Sequence, residues 1–113
     1  MSYQAKALKA YENANSLRDQ RQQDAEVFRS VSVMLRAADN ELERVKAVAT
    51  ARRVWQTVLA TNLDPLNPLP ETLRVQIVSV ANTVLRHMDV GTIDIDFVAT
   101  ICDNFSNGLS GKV

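Results

Sequence analysis

The chain has 113 residues, 13 Lys/Arg against 13 Asp/Glu, and a single cysteine, Cys102. That length suits one domain able to bury roughly two-thirds of its unfolded surface without metal or cross-link, and one cysteine excludes an intramolecular disulfide. Zero net charge argues against direct nucleic-acid binding, and no stretch approaches the ~20 apolar residues of a membrane span, so no membrane insertion is expected.

Met1-Ser2-Tyr3-Gln4-Ala5-Lys6 lacks the apolar run of a signal peptide, so the expected compartment is the reducing cytoplasm. Residues 1–63 hold ten Lys/Arg against seven Asp/Glu and residues 64–113 hold three against six, a +3/−3 imbalance that draws the two halves together weakly. Apolar residues recur at helical spacing almost throughout. The pattern predicts an all-α fold, a compact bundle of four main helices plus a short amino-terminal helix, with 1–113 a single helical domain.

In the first segment Tyr3, Ala7, Tyr11 and Ala14 form a thin stripe, so 1–15 is expected to be a loosely held helix or arm. A break is expected over Asn13 to Arg18, where Ser16-Leu17-Arg18-Asp19 has the spacing of a capping box. The next helix carries Val27, Phe28, Val31, Met34, Leu35 and Ala38 on one face. Asp39-Asn40 reads as a pause and cap, after which Leu42, Val45, Val48, Trp55 and Leu59 mark the core side of a helix ending near Asn62.

Pro65, Pro68 and Pro70 stop that helix, and another starts at Glu71, since proline is harmless at a helix start and destructive inside one. It runs to about Met88 with Leu73, Ile77, Val80, Ala81, Val84 and Met88 as its stripe, and Val75, Val78 and Leu85 broaden its apolar surface. Gly91 suits the left-handed position that ends a helix. Thr92 or Asp94 then caps a last helix with Val98, Ile101, Phe105 and Leu109 on one side.

Nothing in the sequence assembles a catalytic, cofactor-binding or metal-binding constellation. His87, the only histidine, sits where a cation complements a helix dipole, Cys102 reads as a small packed residue, and the three glycines make no phosphate loop. The expectation is a protein that is not an enzyme and needs no cofactor. Arg52 projects into the sector of Val48 and Trp55, either as a core-edge residue stacked on Trp55 or paired with Glu71 or Asp96, or as a lining of a partner groove beside Trp55. Arg53 points to solvent. Arg44, Lys46, Arg52 and Arg53 are the cations an RNA would have to use.

Several motifs, in order, are similar to those of the flagellar biosynthesis regulator FlaF family. They are Ser2-Tyr3 and Ala10-Tyr11, Ser16-Leu17-Arg18-Asp19, Met34-Leu35-Arg36-Ala37-Ala38, Arg52-Arg53-Val54-Trp55, Leu69-Pro70-Glu71-Thr72-Leu73-Arg74 and Gly108-Leu109. Leu17 stands where proline is common in that family, and Cys102 where asparagine is frequent. The resemblance implies a cytoplasmic flagellar factor that binds flagellin as a secretion chaperone and couples its synthesis to export and filament assembly. The alternative it leaves is an adaptor or regulator acting with FlbT on flagellin messenger RNA, or with export components, without binding flagellin itself. Partner-binding candidates are Tyr3, Tyr11, Arg52, Arg53, Trp55, Val75, Val78 and Leu85, together with the core should the amino-terminal helix move away.

Overall fold

The computed structural model describes residues 3–111, apart from the side chains of Tyr3, Asn13, Ala14 and Leu17. The described residues form four helices: α1 (Tyr3–Ala37), α2 (Glu41–Leu63), α3 (Glu71–Met88) and α4 (Ile95–Ser110). This is the expected all-helical bundle of four main helices with a helical amino-terminal segment. The expected break over residues 13–18 is absent, and that segment runs without interruption into the rest of α1. Asn13 to Arg18 contains neither glycine nor proline, so each residue costs the helix only a few tenths of a kcal/mol, roughly, and Ser16 sits inside it instead of capping a new one.

The other boundaries follow local chemistry. Asn40 caps α2, its side-chain oxygen accepting from the Glu43 N–H at 2.9 Å, while the Glu43 carboxylate accepts from the Asp39 N–H at 3.4 Å. Asp94 caps α4 by accepting from the Phe97 N–H at 3.0 Å. The left-handed glycine is Gly111, at φ 76°, where α4 ends, and not Gly91. α3 ends instead on a right-handed residue, Asp89, whose N–H donates to the carbonyls of Leu85 and Arg86, both at 3.2 Å.

Packing joins the helices in two antiparallel pairs, α1 with α4 and α2 with α3. Small residues let α1 and α4 approach closely: Ala25 and Ser32 on one, Ala99, Cys102 and Ser106 on the other, all buried. There the Ser106 hydroxyl donates to the Ala25 carbonyl at 2.7 Å. The two pairs meet at Trp55, which is 0% exposed. Its ring lies 5.1 Å from Phe28 of α1 and 5.3 Å from Phe105 of α4, and those two rings are 4.7 Å apart. Tilted and edge-on contacts of this kind add about 0.5–1.5 kcal/mol per pair beyond the area buried.

The face that α2 turns inward is Ala47, Ala51 and Trp55, with Val48 and Leu59 only partly covered. Leu42 and Val45, expected in the core, are exposed, because the small Ala47 and Ala51 bring the backbone close enough for the indole to reach across. Val27 and Met34 of α1 and Leu73 and Val80 of α3 are likewise outside the core, which takes Phe28, Val31 and Leu35 from α1 and Ala81, Val84 and Met88 from α3.

The molecule measures 59 × 25 × 24 Å with a radius of gyration of 16.7 Å, against about 13 Å for a compact chain of this size. The excess is α1. Every described side chain from residue 4 to residue 12 is exposed, and the first buried one is Ala25. α4 stops at Ser110, one turn past the Ser106–Ala25 bond, so α1 runs on past the end of α4 by about 27 Å at 1.5 Å per residue, and its wholly exposed residues 4–12 span about 13 Å of that length.

Truncating the central ring tests this packing. Trp55→Ala is expected to cost about 3–5 kcal/mol, read from the urea midpoint followed by circular dichroism. The native tryptophan emission, which Trp55 alone supplies, is expected to be blue-shifted and shielded from acrylamide until unfolding.

Candidate functional site

The residues that chemistry would need are packed away or engaged. Burial pushes the Cys102 thiol up, and the Trp55 indole N–H acting on the sulfur draws it only partly back. A thiol held neutral in that way is a poor nucleophile. The His87 ring packs on Phe97 with centroids 4.6 Å apart, and its Nε2 is buried with no hydrogen-bond partner. Among the described residues no group of three or more His, Cys, Asp or Glu is placed to hold a metal ion, and no helix is long and apolar enough to cross a membrane.

Arg52 is engaged with the end of α3. Its guanidinium pairs with Asp89 and donates to the Met88 carbonyl at 3.1 Å, so the partner is neither Glu71 nor Asp96. A cation on the unpaired carbonyls of a helix end complements the dipole and joins α2 to α3. Arg53, about 100° further round the helix, is exposed. At 100° per residue Lys46 and Arg53 share one side of α2 while Arg44 and Arg52 lie elsewhere, so the four cations make no single basic stripe.

Trp55, a candidate anchor, is enclosed on all sides and presents no surface to a partner in this arrangement. The extra strip on α3 is split: Val75 is 61% exposed, Val78 is half-buried and Leu85 packs on the core. Tyr11 is 66% exposed on the projecting part of α1, with Leu8 exposed one turn before it. The Tyr3 side chain lies outside the described residues. Of the segment expected to be an arm, the side chains of residues 4–12 are exposed and Asn15 is partly buried.

Two arginines that the sequence reading passed over hold the bundle together. Three prolines between α2 and α3 remove backbone donors where the last carbonyls of α2 need them. Arg74 supplies them. Its guanidinium donates to the carbonyls of Leu69 at 3.2 Å, Asp64 at 3.3 Å and Asn62 at 3.5 Å, and the Asn67 amide donates to the Thr61 carbonyl at 2.9 Å. The prolines and Arg74 one turn into the next helix were the available signal. Arg36 of α1 pairs with Asp103 of α4 and donates to the Ser32 hydroxyl at 2.7 Å. Burial pushes the Asp103 carboxyl up, but hydrogen bonds from Ser32 and Arg36 outweigh it and hold the group below the usual carboxylate range.

Among the described residues, two surfaces stand out for a partner. One is the projecting start of α1 with Leu8 and Tyr11. The other is a shallow open groove between α1 and α2, floored by Val27, Val31, Met34 and Val54 and edged by Gln23, Glu26, Ser30 and Thr50.

Comparison with known proteins gives one match. The model of a protein family described as Flagellar protein FlaF matches residues 7–109, nearly the whole chain, and neither a curated protein nor a solved structure matches.

The two clamps give distinct expected outcomes. Arg52→Gln is expected to lower stability by about 1 kcal/mol, measured by urea unfolding, through loss of a helix-end contact, while Arg53→Gln leaves it unchanged. Because the folded Asp103 carboxyl is depressed, its contribution is complete above the unfolded value of about 3.9 and is lost as pH falls through the folded value. The stability gap between wild type and Asp103→Asn is therefore expected to close below about pH 4.

Proposed function

The chain belongs to the FlaF family of flagellar proteins, and from that premise we propose that it is a non-enzymatic cytoplasmic factor that binds flagellin as a secretion chaperone. In this reading it covers flagellin before export and helps couple flagellin synthesis to filament assembly. The observation that carries the proposal is the projecting start of α1, whose residues 4–12, about 13 Å of helix, are exposed throughout, with Leu8 and Tyr11 among them. A lone helix of that length is only marginally stable in water, so its apolar side is suited to pairing with another helix.

Unassembled flagellin offers what such a helix lacks, namely long terminal helices whose apolar faces have no partner until they polymerise. Helix-on-helix pairing between the two would cover both at once. What supports a protein partner over RNA is charge: the net charge is zero, and Arg52, one of the four clustered cations, is engaged by Asp89. Tyr11 is the side chain most favoured as an anchor there, since tyrosine buries a large ring and keeps its hydroxyl at the wet edge.

Calorimetry against flagellin from the same organism tests the reading. Micromolar or tighter binding is expected with intact flagellin and none with flagellin lacking its terminal helices. Deleting residues 1–15 is expected to leave a folded bundle by circular dichroism and to weaken affinity at least tenfold. Unchanged affinity removes the arm from the interface, and absence of binding to intact flagellin shifts the weight to an adaptor working with FlbT.

A further inference from the structure

We propose that the groove between α1 and α2 is a self-association surface, on which a second copy of this chain docks about a two-fold axis running along the groove. The floor is apolar: Val27 is 45% and Met34 38% exposed, with Val31 and Val54 between them. What selects the occupant is the charge along the two edges.

Glu26 borders the groove on the outer side of α1, and Arg53, with Lys46 seven residues before it, lies on the outer side of α2. All three are exposed, and among the described residues none of them enters an ion pair within the chain. Beside the apolar floor, one edge of the groove therefore carries a carboxylate and the other a guanidinium.

The register of the helices then decides the geometry. α1 and α2 are antiparallel, Phe28 meets Trp55, and the groove sets Val27 and Val31 against Thr50 and Val54. Glu26 consequently stands at the height of Arg53. Rotating a copy by 180° about the groove preserves heights and exchanges sides. The acidic edge of each copy then lies on the basic edge of the other, with Glu26 against Arg53 twice. A two-fold axis set across the helices would place α1 on α1 and acid on acid, which is repulsive. An isologous contact needs one self-complementary patch, and this face is one.

The dimensions are adequate. Two helices side by side over the length of α2 give a face of roughly 34 by 20 Å, or about 1,400 Å² over both copies, within the range of specific interfaces. The arrangement leaves both projecting α1 segments on the same side, clear of the contact. It is therefore independent of what those segments bind.

The test uses the full chain in sedimentation equilibrium from about 1 to 200 μM, with circular dichroism to check folding. The expected result is a monomer–dimer equilibrium in which Glu26→Arg or Arg53→Glu alone weakens association at least tenfold and the Glu26→Arg/Arg53→Glu double variant restores it. A monomer at every concentration would overturn the proposal. So would single variants that leave the dimer intact, or a double variant that fails to recover it. Protection of Val27 and Met34 from hydrogen exchange by flagellin, with no dimer in its absence, would assign the groove to flagellin instead and equally overturn self-association.

Discussion

The structure turns on one ring. α1 and α4 close on each other along small side chains, α2 and α3 form a second pair, and Trp55 is the largest wholly buried side chain that reaches from one pair into the other, with the His87–Phe97 contact beside it. Set between Phe28 and Phe105, the indole fills the junction where four helices would otherwise leave a void. Voids in a close-packed interior forfeit contacts on every lining atom, so the identity of this side chain constrains its neighbours. Ala47 and Ala51 are small because the indole must come near, and the buried Trp55 N–H has the Cys102 sulfur near it in place of an oxygen acceptor.

Polar contacts then fix the ends of the helices that the ring brings together. Three arginines share this work in three places. Arg36 ties α1 to α4, Arg52 ties α2 to the end of α3, and Arg74 closes the proline-rich turn between α2 and α3. Each guanidinium meets more than one acceptor, which suits a planar group with five donors in a fixed fork. The partly exposed ion pairs are weak sources of stability individually; their effect is to set the angle at which helices leave their turns.

Much of this was legible in the residues. Asn40, Glu71 and Asp94 mark helix starts because capping and proline chemistry act locally, and the family followed from motifs in the right order. What failed to show was whatever depends on a distant neighbour. The Ser16-x-x-Asp19 spacing occurs inside a helix as readily as at its start, and only the absence of glycine and proline argued for continuity. The phase of α2 was misjudged because Leu42 and Val45 are more apolar than Ala47 and Ala51, while burial there is decided by how close the backbone must come. Gly91 and Gly111 look alike in sequence, and only the path of the chain made the second the left-handed one. Among site residues, Tyr11 and Arg53 stayed on the surface, whereas Arg52 and Trp55 went to internal contacts that a one-dimensional pattern does not distinguish from binding anchors.

The unbroken course of α1 makes its first part a spacer of fixed length. A flexible tether of the same number of residues would have an average span of roughly 23 Å, spread over a wide distribution. A helix holds one distance and one heading, because each residue adds about 1.5 Å and turns the next side chain by about 100°. The tip is thus geared to the core: the direction in which Leu8 and Tyr11 face is determined by the count of residues between them and Ala25. Substitutions that keep the arm helical would leave that aim intact, and a single inserted residue would swing it by more than a quarter turn.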